Sequence, residues 1–329
     1  MTLSAGALLI AGLFVGWGIG ANDAANSMGM AVGAGVRSVK QAMLLVAGCG
    51  LAGALLLGAR VIQTVGYGVF PIGQVEPVYR DLFVLAVSIA AGITVTASTW
   101  LKAPTSTSHA IVGGIIGSGI AMGRADLANW PIVLRVALGW LTTPISAALL
   151  SYLFLRIGRK LVAAWPGVRL KPQWLGMLLT VSGCLMAFSW GANDVANAVG
   201  PLVGSGVVSP FTGALLGGVA MGLGVITWGA RVMETVGERI TKLVPATALA
   251  AETAAAVNIL IFTFLGLPAS SSHTIVGTVF GAGLVQDRQK VNYSVLVEIF
   301  VAWLVTPLVG GAIGFCLFRL LQLLQVLVL

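Results

Sequence analysis

Charge is what this chain has least of. Of its 329 residues only 9% are charged, 58% are hydrophobic, and the mean hydropathy is +1.00. An ordinary soluble domain carries about 25% charged residues, so a water-soluble globule is excluded, and a disordered chain with it. Histidine occurs twice and cysteine three times. Cys49, Cys184 and Cys316 stand singly among apolar residues. They have neither metal-site spacing nor the pattern of a disulfide framework, and they read as small buried hydrophobes. No basic region precedes the first apolar run, so a cleaved signal peptide is not expected. No nucleophile–base arrangement stands out, so an enzyme is not expected. What remains is a polytopic membrane protein, whose 44 glycines let helix backbones approach closely.

The formal net charge of +8 is not a nucleic-acid footprint. Its densest part is Arg156, Arg159, Lys160, Arg169 and Lys171, with no acid between 156 and 171. That stretch reads as a cytoplasmic loop under the positive-inside rule. Contact with anionic lipid is the alternative, and it too is cytoplasmic.

Polar groups inside the apolar runs come in pairs. Gly20-Ala21-Asn22-Asp23-Ala24-Ala25-Asn26 recurs in the second half as Gly191-Ala192-Asn193-Asp194-Val195-Ala196-Asn197. Gly58-Ala59-Arg60-Val61 returns as Gly229-Ala230-Arg231-Val232 at the same offset. Pro104-Thr105-Ser106-Thr107-Ser108-His109 returns as Pro268-Ala269-Ser270-Ser271-Ser272-His273 at a slightly shorter one. Trp140 and Pro144 answer Trp303 and Pro307. An internal repeat over nearly the whole chain is the organising fact. A span needs about 20 apolar residues, and the first half offers stretches near 3–34, 41–69, 82–101, 104–122 and 131–155. The first of these is expected to break at its Asn-Asp motif. If each stretch crosses once, the count is odd and the second half enters from the opposite side. Re-entrant Ser/Thr hairpins are the alternative. Arg37 and Lys40 follow the first stretch, whereas residues 207–210 after its counterpart are uncharged, as opposite orientations require. With the basic loop inside, both termini fall outside. The expected fold is an all-α polytopic membrane protein of two inverted-topology repeats, 1–160 and 173–329, joined by a basic cytoplasmic linker at 161–172. It has about 10–12 transmembrane helices, with broken or re-entrant segments at the midplane.

On a helix, Asn22, Asp23 and Asn26, and likewise Asn193, Asp194 and Asn197, point to one side. One carboxylate with carboxamide oxygens is a hard-oxygen set, which suits Na⁺ better than zinc or copper; unwound backbone carbonyls would complete the shell. Interhelical glue is the alternative, and the duplication favours the cation site. The stripe Gly12, Gly16, Gly20, matched by Gly183, Ala187, Gly191, would bring the two islands together. The hydroxyls Thr105, Ser106, Thr107 and Ser108, and Ser270, Ser271 and Ser272, sit at helix starts, where free N–H groups and the dipole bind anions. Two such starts can hold a small oxyanion without the tight grip of a bidentate Arg. His109 and His273 fix those turns by hydrogen bonds or relay protons. Glu252 is a further buried acid whose first-half counterpart is Ser88. It reads as a further cation ligand or a gate. Arg60 and Arg231 are structural or attract an anion.

At these motifs the chain resembles the inorganic phosphate transporter (PiT) family. The two Gly-Ala-Asn-Asp-x-Ala-Asn strings and the two Ser/Thr-Ser-His blocks match its paired motifs, and the resemblance covers both halves. It implies symport of inorganic phosphate with Na⁺, or H⁺ in some bacterial members, by alternating access, at the inner (plasma) membrane with both termini outside. Asp23 and Asp194 would be cation ligands supported by Asn22, Asn26, Asn193 and Asn197. The hydroxyls would hold phosphate, and Glu252 matches a family acid. A homodimer is also implied. Gly50 stands where many relatives carry Glu, and the short central loop points to a prokaryotic member. An H⁺-driven carrier, a sulfate or other oxyanion symporter, and an anion channel are the rivals.

Overall fold

The computed structural model describes residues 4–101, 105–164, 171–230, 244–286 and 293–328. Each half contributes five main helices in the same order. The first half has α1 (Ala5–Gly33), α2 (Val39–Leu57), α3 (Pro77–Trp100), α4 (Thr107–Ala121) and α5 (Trp130–Ala164). The second has α6 (Pro172–Gly204), α7 (Pro210–Trp228), α8 (Pro245–Phe264), α9 (Ser271–Gln286) and α10 (Tyr293–Val328). Eight of these are long and apolar enough to cross a membrane. With the shorter α4 and α9 the total falls in the range expected from the sequence. Of the predicted basic loop, 165–170 lies outside the described residues, as do Lys102, Pro104 and the 231–243 stretch that holds Arg231, Glu238, Arg239 and Lys242.

Helix starts follow local chemistry. Ser38 caps α2 and forms a capping box with Gln41, Ser209 caps α7 ahead of Pro210, and Ser106 caps α4.

The halves interlock rather than stack. α2 packs on α6 as α7 packs on α1, and α4 packs on α10 as α9 packs on α5. Glycine makes these crossings possible. A Cβ on Gly20 would meet the backbone of Met221, and one on Gly191 the backbone of Gly50. Gly53 abuts the Phe188 carbonyl as Gly224 abuts that of Trp17. Each pair of contacts repeats at the offset that relates the two Asn-Asp motifs. The Gly12/Gly16/Gly20 stripe therefore seats α1 against both α6 and α7.

The contacts also fix direction. Gly12, near the start of α1, meets Leu202 near the end of α6, whereas Gly183, early in α6, meets Met28 late in α1. The two equivalent helices therefore run antiparallel. Beyond α1, Arg37 Nε donates to Thr180 Oγ1 (3.0 Å) on the first turns of α6. At the other end, Tyr67 Oη donates to the Val203 carbonyl and Gly66 touches Gly204.

α3 and α4 form an antiparallel hairpin. Phe70 stacks on Phe83 early in α3 (4.9 Å between ring centroids) and also meets Gly119 late in α4, so α4 returns to the level where α3 began. The second limb of the hairpin opens on the first Ser/Thr block, 105–108.

The break expected at the Asn-Asp motif is not there. α1 and α6 run unbroken through 20–26 and 191–197. Ala-rich sequence favours helix, and the buried amides find side-chain partners, so the backbone has no cause to unwind. The interruption lies in the neighbouring helices, for one residue at Gly58 and at Gly229. Those two residues pack against Val195 and Ala24 inside the two motifs.

Replacing Gly191 by Ala should lower stability by about 1–3 kcal/mol, because its Cβ would strike the Gly50 backbone. Gly48, with open space at its Cβ, should tolerate Ala without loss. Thermal melts of the two variants in one detergent compare them directly.

Candidate functional site

The four motifs converge, and they do so crosswise. Asn26 Nδ2 donates to Asp23 Oδ1 (2.9 Å) three residues away on α1, and reaches Ser271 Oγ and Ser272 Oγ at the start of α9 (3.4 Å each). Its counterpart Asn197 donates to Asp194 Oδ1 (3.2 Å) and reaches Thr107 Oγ1 at the start of α4 (3.5 Å). The amide–acid cluster of each half thus touches the hydroxyl turn of the other. The turns touch as well: Ser272 Oγ donates to the Thr105 carbonyl (3.1 Å). Ser271 lies beside both carboxylates, and Trp190 beside that of Asp23.

The other two amides are props. Asn22 Nδ2 donates to Thr99 Oγ1 (2.7 Å), near the end of α3. Asn193 Nδ2 donates to Thr263 Oγ1 (2.9 Å) and to the Leu267 carbonyl (3.1 Å), while its Oδ1 accepts from the Ala269 amide (2.9 Å). Each ties a motif helix to the hairpin limb that carries a hydroxyl block. Thr99 and Thr263 were not singled out in the sequence. They are related by the same offset as the two Ser/Thr blocks, which was the signal that marks them. Trp190 had no such signal, since its first-half counterpart is Ile19.

Among the predicted hydroxyls, Ser106 and Ser270 act as helix caps, accepting from the amides of His109 (3.4 Å) and His273 (3.2 Å). Ser106 Oγ also lies 3.1 Å from Ser108 Oγ. Thr107, Ser271 and Ser272 face the amide–acid clusters.

All of this is buried. Asp23, Asp194, Asn197 and the hydroxyls from Thr105 to Ser108 and Ser270 to Ser272 are at most 4% exposed. Asp23 Oδ2, Asp194 Oδ2 and Asn197 Oδ1 have no hydrogen-bond partner among the described residues. The ion pair among the described residues, Arg124–Asp126, is exposed and remote from these acids. Two buried carboxylates with spare oxygens and no basic partner among the described residues cannot hold negative charge in a low-dielectric site unaided; they need a cation or a proton. No group of three or more His, Cys, Asp or Glu converges among the described residues; the donors around the two acids are carboxylate, carboxamide and hydroxyl oxygens, a hard set. Pro201, inside α6, removes the amide that would otherwise bind the Asn197 carbonyl. A backbone oxygen is therefore freed beside the cluster without unwinding the helix.

Glu252 stands apart from the central acids. It accepts from Ser182 Oγ (2.7 Å), and Ser182 precedes Asp194 by twelve residues on α6, a rise of about 18 Å. Its level is that of Arg37 and the first turns of α6. Arg60 is structural: its guanidinium donates to the Phe264 carbonyl at the end of α8 (3.0 Å) and lies over that residue's ring.

Comparison with known proteins identifies the family. The model of the phosphate transporter family matches residues 19–314. A candidate phosphate permease of Pyrococcus horikoshii is 32% identical over 96% of this chain and 97% of its own length. A chloroplast inorganic phosphate transporter of Arabidopsis thaliana is 29% identical over 94% of this chain and 70% of its own. The solved structure of a sodium-dependent phosphate transporter superposes with a TM-score of 0.86 at 28% identity, covering 97% of this chain and 99% of that one. The chain belongs to the phosphate transporter family.

Proposed function

We propose that this protein imports inorganic phosphate by symport with Na⁺, through alternating access of two halves that face opposite sides of the membrane. The observation that carries the reading is the crosswise contact of Asn26 with Ser271 and Ser272, and of Asn197 with Thr107. It places the hard-oxygen donors beside the neutral hydroxyl and amide donors of two helix starts. Na⁺ bound at Asp23 and Asp194 offsets their charge and makes the adjoining pocket attractive to a tetrahedral anion. The anion is not welcome alone, because it would face two bare carboxylates. With Na⁺ on each acid that repulsion is removed and the helix-start donors can hold the anion, which by linkage tightens the cations in return. That mutual dependence is what couples the fluxes.

Opposite orientation is supported by the antiparallel course of α1 and α6 and by the meeting of Arg37 with the first turns of α6. The Arg37–Lys40 turn and the basic stretch from Arg156 to Lys171 then share one side, which the positive-inside rule makes cytoplasmic. On that reading Glu252 is a separate acidic station toward the cytoplasm, a waypoint for a leaving cation rather than a third ligand of the central pair. The structural likeness to a sodium-dependent phosphate transporter favours Na⁺ over H⁺.

Labelled phosphate should enter proteoliposomes only under an inward Na⁺ gradient. Equal uptake with choline in place of Na⁺ under a proton gradient would remove the Na⁺ assignment, and equal competition by sulfate would remove the phosphate one.

Asp23→Asn and Asp194→Asn should each reduce Na⁺-driven uptake about tenfold or more while leaving the protein folded. Wild-type rates in both would reduce the motifs to packing glue. Ser271→Ala, which removes a hydroxyl shared between the acids, should raise the phosphate KM about tenfold.

A further inference from the structure

The two histidines meet where the halves meet. His109 and His273 are 4% and 2% exposed, and their rings lie edge to face, 4.7 Å apart. Each reaches into a long helix of the other half. His109 Nδ1 lies 2.9 Å from the Trp303 carbonyl on α10, and His273 Nδ1 lies 3.0 Å from the Trp140 carbonyl on α5. In an unbroken helix those two carbonyls would accept from the amides of residues 307 and 144. Both positions are proline, Pro307 and Pro144, which have no amide proton. Each proline therefore frees one buried carbonyl, and each histidine satisfies it.

The contact is continuous along both helices. His109, Gly113 and Gly117 face Trp303, Pro307 and Gly311 in register, and the Cβ-free glycines let the two backbones touch. His273, Gly277 and Gly281 face Trp140, Pro144 and Ala148 in the same way. Each tryptophan serves both histidines. The Trp303 carbonyl accepts from His109 while its ring stacks on His273 at 3.6 Å, and Trp140 does the reverse, with its ring 4.0 Å from that of His109. A carbonyl can only accept, so Nδ1 must carry the proton in both rings, and Nε2 keeps its lone pair. Both Nε2 atoms are buried without a hydrogen-bond partner among the described residues.

We propose that His109 and His273 are positioning residues: each clasps a proline-freed carbonyl of the opposite half and so holds its own hydroxyl turn in place for the cargo. The histidine sits one residue after the last hydroxyl of its block, and its amide is the one capped by Ser106 or Ser270. Fixing the ring fixes the first helical turn, and with it Thr107 against Asn197 and Ser272 against Asn26. The clasp also ties the proline-interrupted helices α5 and α10 to the cradle. This assignment rests on the transport reading above for its cargo, but not for its geometry.

The test is a set of variants in purified, reconstituted protein. His109→Ala should lower the melting temperature and raise the phosphate KM about fivefold, the equivalent of one net hydrogen bond. His109→Asn, whose amide nitrogen stands where Nδ1 was, should recover most of the KM; His109→Gln, which extends its donor toward the Nε2 position, should not. This pair decides the question even if the alanine variant fails to fold. Pro307→Ala restores an amide to the Trp303 carbonyl. Added to His109→Ala, it should return the melting temperature toward the Pro307→Ala single variant while leaving KM raised. Strictly additive melting temperatures would sink the clasp. A KM that recovers together with stability, or that never rises in His109→Ala, would make the histidine merely structural. If wild-type protein takes up no phosphate the transport reading falls, while the melting cycle, which needs no cargo, still decides for or against the clasp.

Discussion

Two carboxylates, Asp23 and Asp194, lie buried with no basic partner among the described residues, and the rest of the architecture is organised around tolerating them. An ion pair would be the ordinary solution, but a fixed Lys or Arg would neutralise the site permanently. Here each acid takes one hydrogen bond from the amide three residues on, leaves its second oxygen without a partner among the described residues, and lies beside Ser271 at the start of α9. A site satisfied in this incomplete way leaves room for a mobile counter-charge. On the proposed anion side the neighbouring groups are hydroxyls and helix-start amides, with no guanidinium among the described contacts.

Such a site needs backbones closer than ordinary side chains permit. In a membrane the gain on association comes from van der Waals packing and interhelical hydrogen bonds, since lipid is as apolar as leucine. The backbone contacts at Gly20, Gly53, Gly191 and Gly224 let α1 and α6 sit directly against α7 and α2. Those at Gly113, Gly117, Gly277 and Gly281 do the same for α4 and α9. The same contacts bring the hairpin tips within hydrogen-bond reach of the motif helices. Packing and function are thus one constraint: a methyl group at these glycines moves the helices that carry the site.

Much of this was legible in the sequence because the chain states it twice. Offsets of 171 (Asp23 to Asp194), 164 (His109 to His273) and 163 (Trp140 to Trp303) between the halves paired the Asn-Asp motifs, the hydroxyl blocks and the Trp–Pro pairs in turn. Polarity within apolar runs marked Asp23, Asp194 and Glu252. The motif residues Asn26, Asn197, Thr107, Ser271 and Ser272 come together as their chemistry suggested. Less legible was anything that depends on which helix faces which. An interrupted helix was read into α1, because polar residues in hydrocarbon suggest unwinding. The amides were instead met by Thr99, Thr263 and the hairpin turns, residues remote in sequence. The break fell at Gly58 and Gly229, within a repeated string whose arginine drew more attention than its glycine. Glu252 read as a further cation ligand or a gate, and helix geometry sets its Ser182 partner about 18 Å along α6 from Asp194. Ser106 and Ser270 were counted with the other hydroxyls, but the capping demand of a helix start claims them.

The departures from symmetry carry their own meaning. With two identical halves, an inward-open and an outward-open arrangement would be mirror exchanges of equal energy, and neither side would be favoured by the protein itself. In this chain Glu252 faces Ser182 where the first half has Ser88 and Ala11. Trp190 leans on Asp23 where the equivalent of Asp194's neighbour is Ile19. Pro201 frees a carbonyl beside Asn197 where the first half has Met30 with its amide intact. All three added features belong to the second half. The central groups Asn26 and Asn197, Asp23 and Asp194, Thr107 and Ser271, His109 and His273, and Trp140 and Trp303 stand in matched pairs, whereas Thr105 answers Ala269. If the halves alternate as proposed, unmatched residues such as Glu252, Trp190 and Pro201 can bias one arrangement over the other without altering those paired groups.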